Sequence, residues 1–301
     1  MKKRIFYFNI TYGCNNNCIF CYSHNTRHDS KIYNELKLDS FKEYLKKNAV
    51  TSDDRIILNG GEPLMYSKFK DMLAILKKIG CETVVFTNGR LLDSIDLYTL
   101  NNKFRFVVPI HGDEKLHDKI TKVKGSYRET ILAMKKFNDS DIKCRLDLKI
   151  ILNQGMIESK DIFDKILNSL DNIYFNDSVH ITKMADTIVS EKNNCLSMDD
   201  NNTVSYYTNL LFNHFSRKNY NIKLFDTCIK DINMSKCSNF NRLQYSVDIN
   251  GKDYAHEEII ETYRNLSECA NNCEKADYCL SSVFDYKVLE FSKGKFYENM
   301  E

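Results

Sequence analysis

A chain of 301 residues is long enough for one barrel of about 200 residues and a smaller second unit. Hydrophobic residues make up 43% of it, and 43 basic against 41 acidic side chains leave a formal net charge of +2. That balance excludes a disordered chain and gives no electrostatic footprint for nucleic acid or a membrane surface. No run approaches the roughly 18 apolar residues a bilayer span needs. The opening MKKRIFYFNITYGC is basic at its front, but Asn9 and Thr11 break its short apolar run before the cysteines. It reads as a strand rather than a signal peptide. Eleven cysteines without a secretion signal point to metal ligation in a reducing cytoplasm rather than to disulfides.

In chain order, short β-branched runs alternate with helical patterns, the mark of parallel βαβ units. Strands are predicted at 5–11, 55–59, 83–87, 105–110, 146–152 and 179–182. Helical spacing holds for Phe69, Met72, Leu73, Leu76 and Ile79, for Tyr127, Ile131 and Met134, and for Ile162, Phe163, Ile166, Leu167 and Leu170. A polar stretch over 191–207 reads as a linker into a last helix around 206–215. Beyond it, Leu243, Tyr245, Val247 and Ile249 alternate with polar residues into Asn250-Gly251, a hairpin signal because both turn residues need positive φ. Six strands with intervening helices fit a barrel or a doubly wound sheet. Either fold places its chemistry at the carboxyl ends of the strands.

After the first strand stand Cys14, Cys18 and Cys21, spaced C-x3-C-x2-C on one loop. Three thiolates so placed can converge on one iron–sulfur cluster, and three rather than four ligands leave one iron of a 4Fe-4S cube open for chemistry. A zinc knuckle is the alternative, with His24 or His28 as the fourth ligand. After the second strand comes Asn59-Gly60-Gly61-Glu62-Pro63, where paired glycines let the backbone turn sharply and approach a ligand. Thr87-Asn88-Gly89 follows the third strand, with Gly89 suited to a positive φ. The fourth ends in His111-Gly112-Asp113, and Asn153 and Lys183 follow the fifth and sixth. Cys81 and Cys144 read as small buried hydrophobes.

The loop C-x3-C-x-Phe-C, the Gly60-Gly61-Glu62 motif about 40 residues later and the Thr87-Asn88-Gly89 ending together resemble the radical S-adenosylmethionine (radical SAM) superfamily. The resemblance implies a partial (β/α)6 TIM-like barrel over 1–216. It implies that Cys14, Cys18 and Cys21 hold a 4Fe-4S cluster whose free iron is chelated by SAM. It also implies that Phe20 lies near the adenine and that Gly60, Gly61 and Glu62 grip the amino end of the methionine. Asn88, Asn153 and Lys183 fall at positions that line the SAM site in relatives. Many relatives carry a ribose-binding serine near the position of His111. Here His111 replaces that contact, meets substrate, shuttles a proton, or is simply a polar strand end.

The tail resembles the SPASM and twitch extensions of such enzymes, a small Cys-rich α+β domain with a β-hairpin over 217–301. Cys228, Cys237, Cys269, Cys273 and Cys279 are its candidate ligands, with His256 where a cysteine is usual. Five cysteines are too few for two auxiliary clusters, so one auxiliary 4Fe-4S cluster is expected. A thiol left over, Cys195 or Cys228, is a candidate hydrogen-atom donor; its alternative is a buried thiol or a further cluster ligand. Relatives with such extensions mostly modify ribosomal peptides. The expectation is therefore a cytoplasmic, oxygen-sensitive enzyme acting on a precursor peptide, reduced by a flavodoxin or ferredoxin, with any leader bound by the barrel, the tail or a separate protein. Cofactor biosynthesis or formylglycine-type maturation is the alternative within the family, and a non-catalytic metal-binding protein the alternative outside it.

Overall fold

The computed structural model describes residues 4–21, 35–184, 201–225, 243–247 and 253–255. Among these residues nine strands form one sheet: β1 (Arg4–Thr11), β2 (Arg55–Gly60), β3 (Glu82–Phe86), β4 (Phe104–Ile110), β5 (Arg145–Leu152), β6 (Ser178–Lys183), β7 (Asn221–Phe225), β8 (Leu243–Val247) and β9 (Asp253–Ala255). Their order is β7-β6-β5-β4-β3-β2-β1-β8-β9. Every neighbouring pair from β1 to β7 is parallel. β8 adds in parallel to the other side of β1, and β9 pairs antiparallel with β8. The Asn250-Gly251 turn of the predicted hairpin lies outside the described residues. No described pairing joins the two outer strands, so the sheet is open, as in a partial barrel.

Among the described residues six α-helices lie between strands: α1 (Leu38–Lys47), α2 (Phe69–Ile79), α3 (Glu114–Thr121), α4 (Ser126–Asn138), α5 (Lys160–Leu170) and α6 (Asn201–Arg217). Alternate strand residues such as Phe6, Phe8, Ile56, Leu58, Phe106, Val108, Leu148 and Ile150 are fully buried and build the main core with the helices. α2 turns Phe69, Met72, Leu73 and Leu76 inward and stops at Gly80, whose φ of 76° suits glycine. α5 starts where the Ser159 hydroxyl accepts the Ile162 N–H. The opposite face of the sheet carries a smaller apolar cluster of Ile5, Ile57, Val84 and Val107.

Beside that cluster, the same face holds buried charge. Asp147 on β5 accepts from Arg105 of β4 at 2.5 and 2.7 Å, from His180 of β6 at 2.7 Å, from Ser178 at 2.7 Å and from Lys223 of β7 at 3.1 Å. Arg105 also binds Asp177. Burial works to raise the Asp147 carboxyl, but the bond from His180 and the charges of Lys223 and Arg105 hold it far below the usual carboxylate range. Burial pushes His180 down to about 4, so the ring is neutral near pH 7. Four neighbouring strands are thus joined through one carboxylate.

Two expectations are corrected. The six predicted strands are joined by a further parallel one, because Asn221–Phe225 adds β7 beyond β6. Its five residues carry Lys223, and a charge among so few positions hides the strand pattern. The last helix begins at Asn201, so residues assigned to a linker up to 207 are partly helical. Asn201, Asn202, Ser205 and Tyr206 gave that first half a polar look, while Val204, Leu211, Phe212 and Phe215 face the core with a buried Thr208 among them. The helix α1, with Phe41 and Leu45 buried, was not predicted.

Candidate active site

The loop after β1 is gripped from three sides. Thr11 turns it, its hydroxyl accepting the Gly13 N–H at 3.0 Å. From the exit of β2, the Gly61 N–H donates to the Thr11 carbonyl and the Glu62 N–H to the Gly13 carbonyl, each at 2.7 Å. From the end of α3, the carbonyls of Thr121 and Ile120 accept the N–H groups of Asn17 and Ile19, both at 3.0 Å. The contact with β2 requires glycine. A Cβ at Gly60, where φ is +133°, would stand 2.3 Å from the Thr11 oxygen, and one at Gly61 would stand 2.2 Å from the Gly13 oxygen. The N–H groups of Gly61 and Glu62 thus hold the cysteine loop.

Cys14, Cys18 and Cys21 are half-buried on this loop and form no disulfide. The Cys14 sulfur accepts the Asn16 N–H at 3.4 Å. Among the described residues, no three His, Cys, Asp or Glu side chains surround one point as a single metal ion needs. An iron–sulfur cube instead gives each thiolate its own iron, and three soft thiols on one loop match that donor set.

Glu62 is buried and accepts three hydrogen bonds: from the Leu64 N–H at 3.0 Å, the Thr87 hydroxyl at 2.6 Å and the Asn88 N–H at 2.7 Å. Burial raises its carboxyl to about 6, against the opposing pull of these bonds. Glu62 therefore fastens the exit of β3 to that of β2.

From that exit Asn88 and Arg90 reach the cysteine loop. The Asn88 side-chain amide donates to Asn15 Oδ1 at 2.6 Å and lies 3.9 Å from the Cys14 sulfur. Arg90 Nη1 donates to the Asn15 carbonyl at 2.5 Å and to Asn16 Oδ1 at 2.9 Å, while its Nε pairs with Glu129 of α4 at 2.7 Å. Gly89 between them has φ of +83°, as its place in the turn predicts. Arg90 was missed in sequence; an arginine directly after Thr-Asn-Gly was the only signal.

Phe20 packs edge to face on His111, ring centroids 5.1 Å apart, and His111 lies 5.0 Å from His117. His111 is buried, its Nδ1 has no hydrogen-bond partner, and burial keeps the ring far below its usual pKa and so neutral. An orphaned buried nitrogen beside the cysteine loop fits a site built for a polar ligand. Asn153 is fully buried. Its amide donates to the carbonyls of His111 and Ile151, each at 2.9 Å, and its oxygen accepts the Met156 N–H at 3.2 Å, fastening β4 to β5. Lys183 closes β6, opposite Leu152 of β5. Phe20, Gly60, Gly61, Glu62, Asn88, His111 and Asn153 thus belong to one connected network around the loop. Cys195, Cys228, Cys237, Cys269, Cys273, Cys279, His256, His24 and His28 lie outside the described residues.

Comparison with known proteins gives the family and the fold. The family model of the radical SAM superfamily matches residues 8–166. Fe-coproporphyrin III synthase of Methanosarcina barkeri is 26% identical over 170 residues, 54% of this chain and 41% of that protein. The sporulation killing factor maturation protein SkfB of Bacillus subtilis is 26% identical over 136 residues, 44% of this chain and 32% of that protein. The matches thus span less than half the length of both relatives. Streptococcus suis SuiB bound to S-adenosylmethionine has the same fold at a TM-score of 0.60 and 14% identity, covering 84% of this chain and 60% of SuiB. SuiB bound to its precursor peptide SuiA aligns with a TM-score of 0.58. The match to the family model covers more than half of the chain, and the chain belongs to the radical SAM superfamily.

Proposed function

We propose that this radical SAM enzyme takes a hydrogen atom from a ribosomally made peptide, installing a thioether or carbon–carbon cross-link or inverting a residue. The observation that carries the reading is the cysteine loop locked onto the Gly60-Gly61-Glu62 turn in a chain similar to a peptide maturation protein. When bound, the cluster and SAM supply a carbon radical able to break a C–H bond. Cys14, Cys18 and Cys21 would hold the cluster, and Phe20, packed on His111, would lie beside the nucleoside, a reading supported by their ring contact next to the cysteine loop. His111 is neutral and has an unpartnered Nδ1 to offer a hydroxyl. The Gly60–Gly61 turn and Glu62 would meet the ammonium end, and Asn88, Asn153 and Lys183 would line the remainder of the cofactor's pocket. Of the residues 217–301 assigned to the tail, those after β7 would form a SPASM/twitch-like domain with one auxiliary cluster, and Cys195 or Cys228 would be a hydrogen-atom donor. A flavodoxin or ferredoxin in the cytoplasm would supply electrons.

A second reading, tetrapyrrole or other cofactor chemistry, is favoured by the 170-residue match to Fe-coproporphyrin III synthase. The test is to incubate the reconstituted, reduced enzyme with SAM and the peptide encoded beside its gene, in deuterated water. A gain of one deuterium at a carbon means inversion, and a loss of two hydrogens means a cross-link. An unchanged peptide together with turnover of an iron porphyrin would replace the first reading by the second.

A further inference from the structure

We propose that Asn88 and Arg90, at the exit of β3, are positioning residues for the catalytic cluster: Asn88 donates a hydrogen bond to the Cys14 sulfur, and Arg90 holds the Cys14–Cys18 segment in ligating shape. The inference rests on the cysteine loop holding that cluster. The Asn88 amide is fixed in orientation. Its oxygen accepts the Arg90 N–H at 3.1 Å, and its backbone carbonyl accepts the Thr130 hydroxyl at 3.0 Å. The nitrogen therefore faces the loop, and it carries two hydrogens. One serves Asn15 Oδ1 at 2.6 Å; the other faces Cys14 Sγ at 3.9 Å, a long contact with a diffuse acceptor.

Reduction places an added electron on the cluster, part of it on the ligand sulfurs. An N–H dipole aimed at one of those sulfurs stabilises the reduced form and raises the potential. A carboxylate or a methyl group at position 88 would not. Arg90 does different work. Its guanidinium binds two consecutive residues, Asn15 and Asn16, within the three-residue spacer between Cys14 and Cys18. Glu129 holds the guanidinium from behind, and the third spacer residue, Asn17, is tied to α3. All three spacer residues are thus fastened to the barrel, so the loop loses little further entropy when a cluster enters.

The test is a dithionite-poised redox titration of anaerobically reconstituted, full-length protein, with iron per chain and thermal melting measured on each variant. Asn88→Ala is expected to lower the potential by about 59 mV, a tenfold shift in the one-electron reduction equilibrium. Arg90→Ala is expected to lower at least twofold the iron bound above that of a Cys14→Ala/Cys18→Ala/Cys21→Ala control, which reports any auxiliary cluster, while the remaining catalytic clusters keep the parent potential, and Arg90→Lys to restore part of the loading. An unchanged potential in Asn88→Ala, or full loading in Arg90→Ala, overturns the corresponding half. The titration is read on the signal that the triple-cysteine control lacks, so neither partial loading nor an auxiliary cluster blurs the result. A variant that takes up no iron beyond that control supports the proposal if it melts like the parent. If its melting transition is lost, the residue serves the fold and the proposal fails. A parent protein that takes up no more iron than that control would refute the cluster assignment instead.

Discussion

At Gly61 an added methyl group would stand 2.2 Å from the Gly13 carbonyl and 2.7 Å from that of Tyr12, both backbone atoms that no rotamer change can move aside. Gly61→Ala should cost about 1–3 kcal/mol in urea unfolding and reduce the iron taken up per chain. A loop that tolerated the methyl group would show neither effect. Glu62 is the second such residue. Glu62→Ala leaves the Leu64 and Asn88 N–H groups and the Thr87 hydroxyl without their acceptor, and should cost on the order of 3 kcal/mol or more. Glu62→Gln keeps one carbonyl oxygen and should cost less. The motif itself was legible because glycine pairs and cysteine spacings are local. The partners of its N–H groups were not, because Thr11 and Gly13 lie some 50 residues earlier and only the fold brings them near.

Strand edges were read to within a residue or two from β1 to β6, since β-branched and aromatic runs between helical patterns are strong local signals. What escaped was the chemistry inside them. The sequences FRFVVPI, RLDLKIIL and SVHITK each place charged or polar residues within an apolar strand, and these meet across β4, β5 and β6 around Asp147. Asp147→Ala would leave Arg105 and Lys223 buried without that partner, and should lower stability by about 3–5 kcal/mol in denaturant unfolding. Asp147→Asn, which retains an acceptor, should cost less. A loss under 1 kcal/mol in the alanine variant would mean that water replaces the carboxylate and that the strands do not depend on it.

For the whole molecule, acid sensitivity follows from groups on both faces of the sheet. Burial holds His117 and His180 near 4, against an ordinary 6.5, so between these values the unfolded chain binds protons there that the folded chain does not. Their contribution is whole above pH 6.5 and lost as pH falls toward 4. Glu62 acts in the opposite sense. Burial raises its carboxyl from 4.5 to about 6, so its contribution is whole below pH 4.5 and lost as pH climbs through 6. Two histidines against one carboxylate leave a net loss on acidification of about 1 kcal/mol per pH unit between 6 and 4.5, and His111 adds to it in the same direction. Urea midpoints of the metal-free protein at pH 6.5, 5.5 and 4.5 should fall in that order; a flat or rising series would contradict the burial of these rings.

The catalytic half of the chain was legible as a family because its thiols and glycines stand close together in sequence. The clamp that holds them was not, because Arg90, Asn88 and the end of α3 converge only in three dimensions. The measurement that tests the account most directly is 5'-deoxyadenosine formation by anaerobically reconstituted, dithionite-reduced protein given SAM. The account predicts cleavage by the parent chain and none by Cys14→Ala, Cys18→Ala or Cys21→Ala. A parent chain that binds zinc and leaves SAM intact would contradict it.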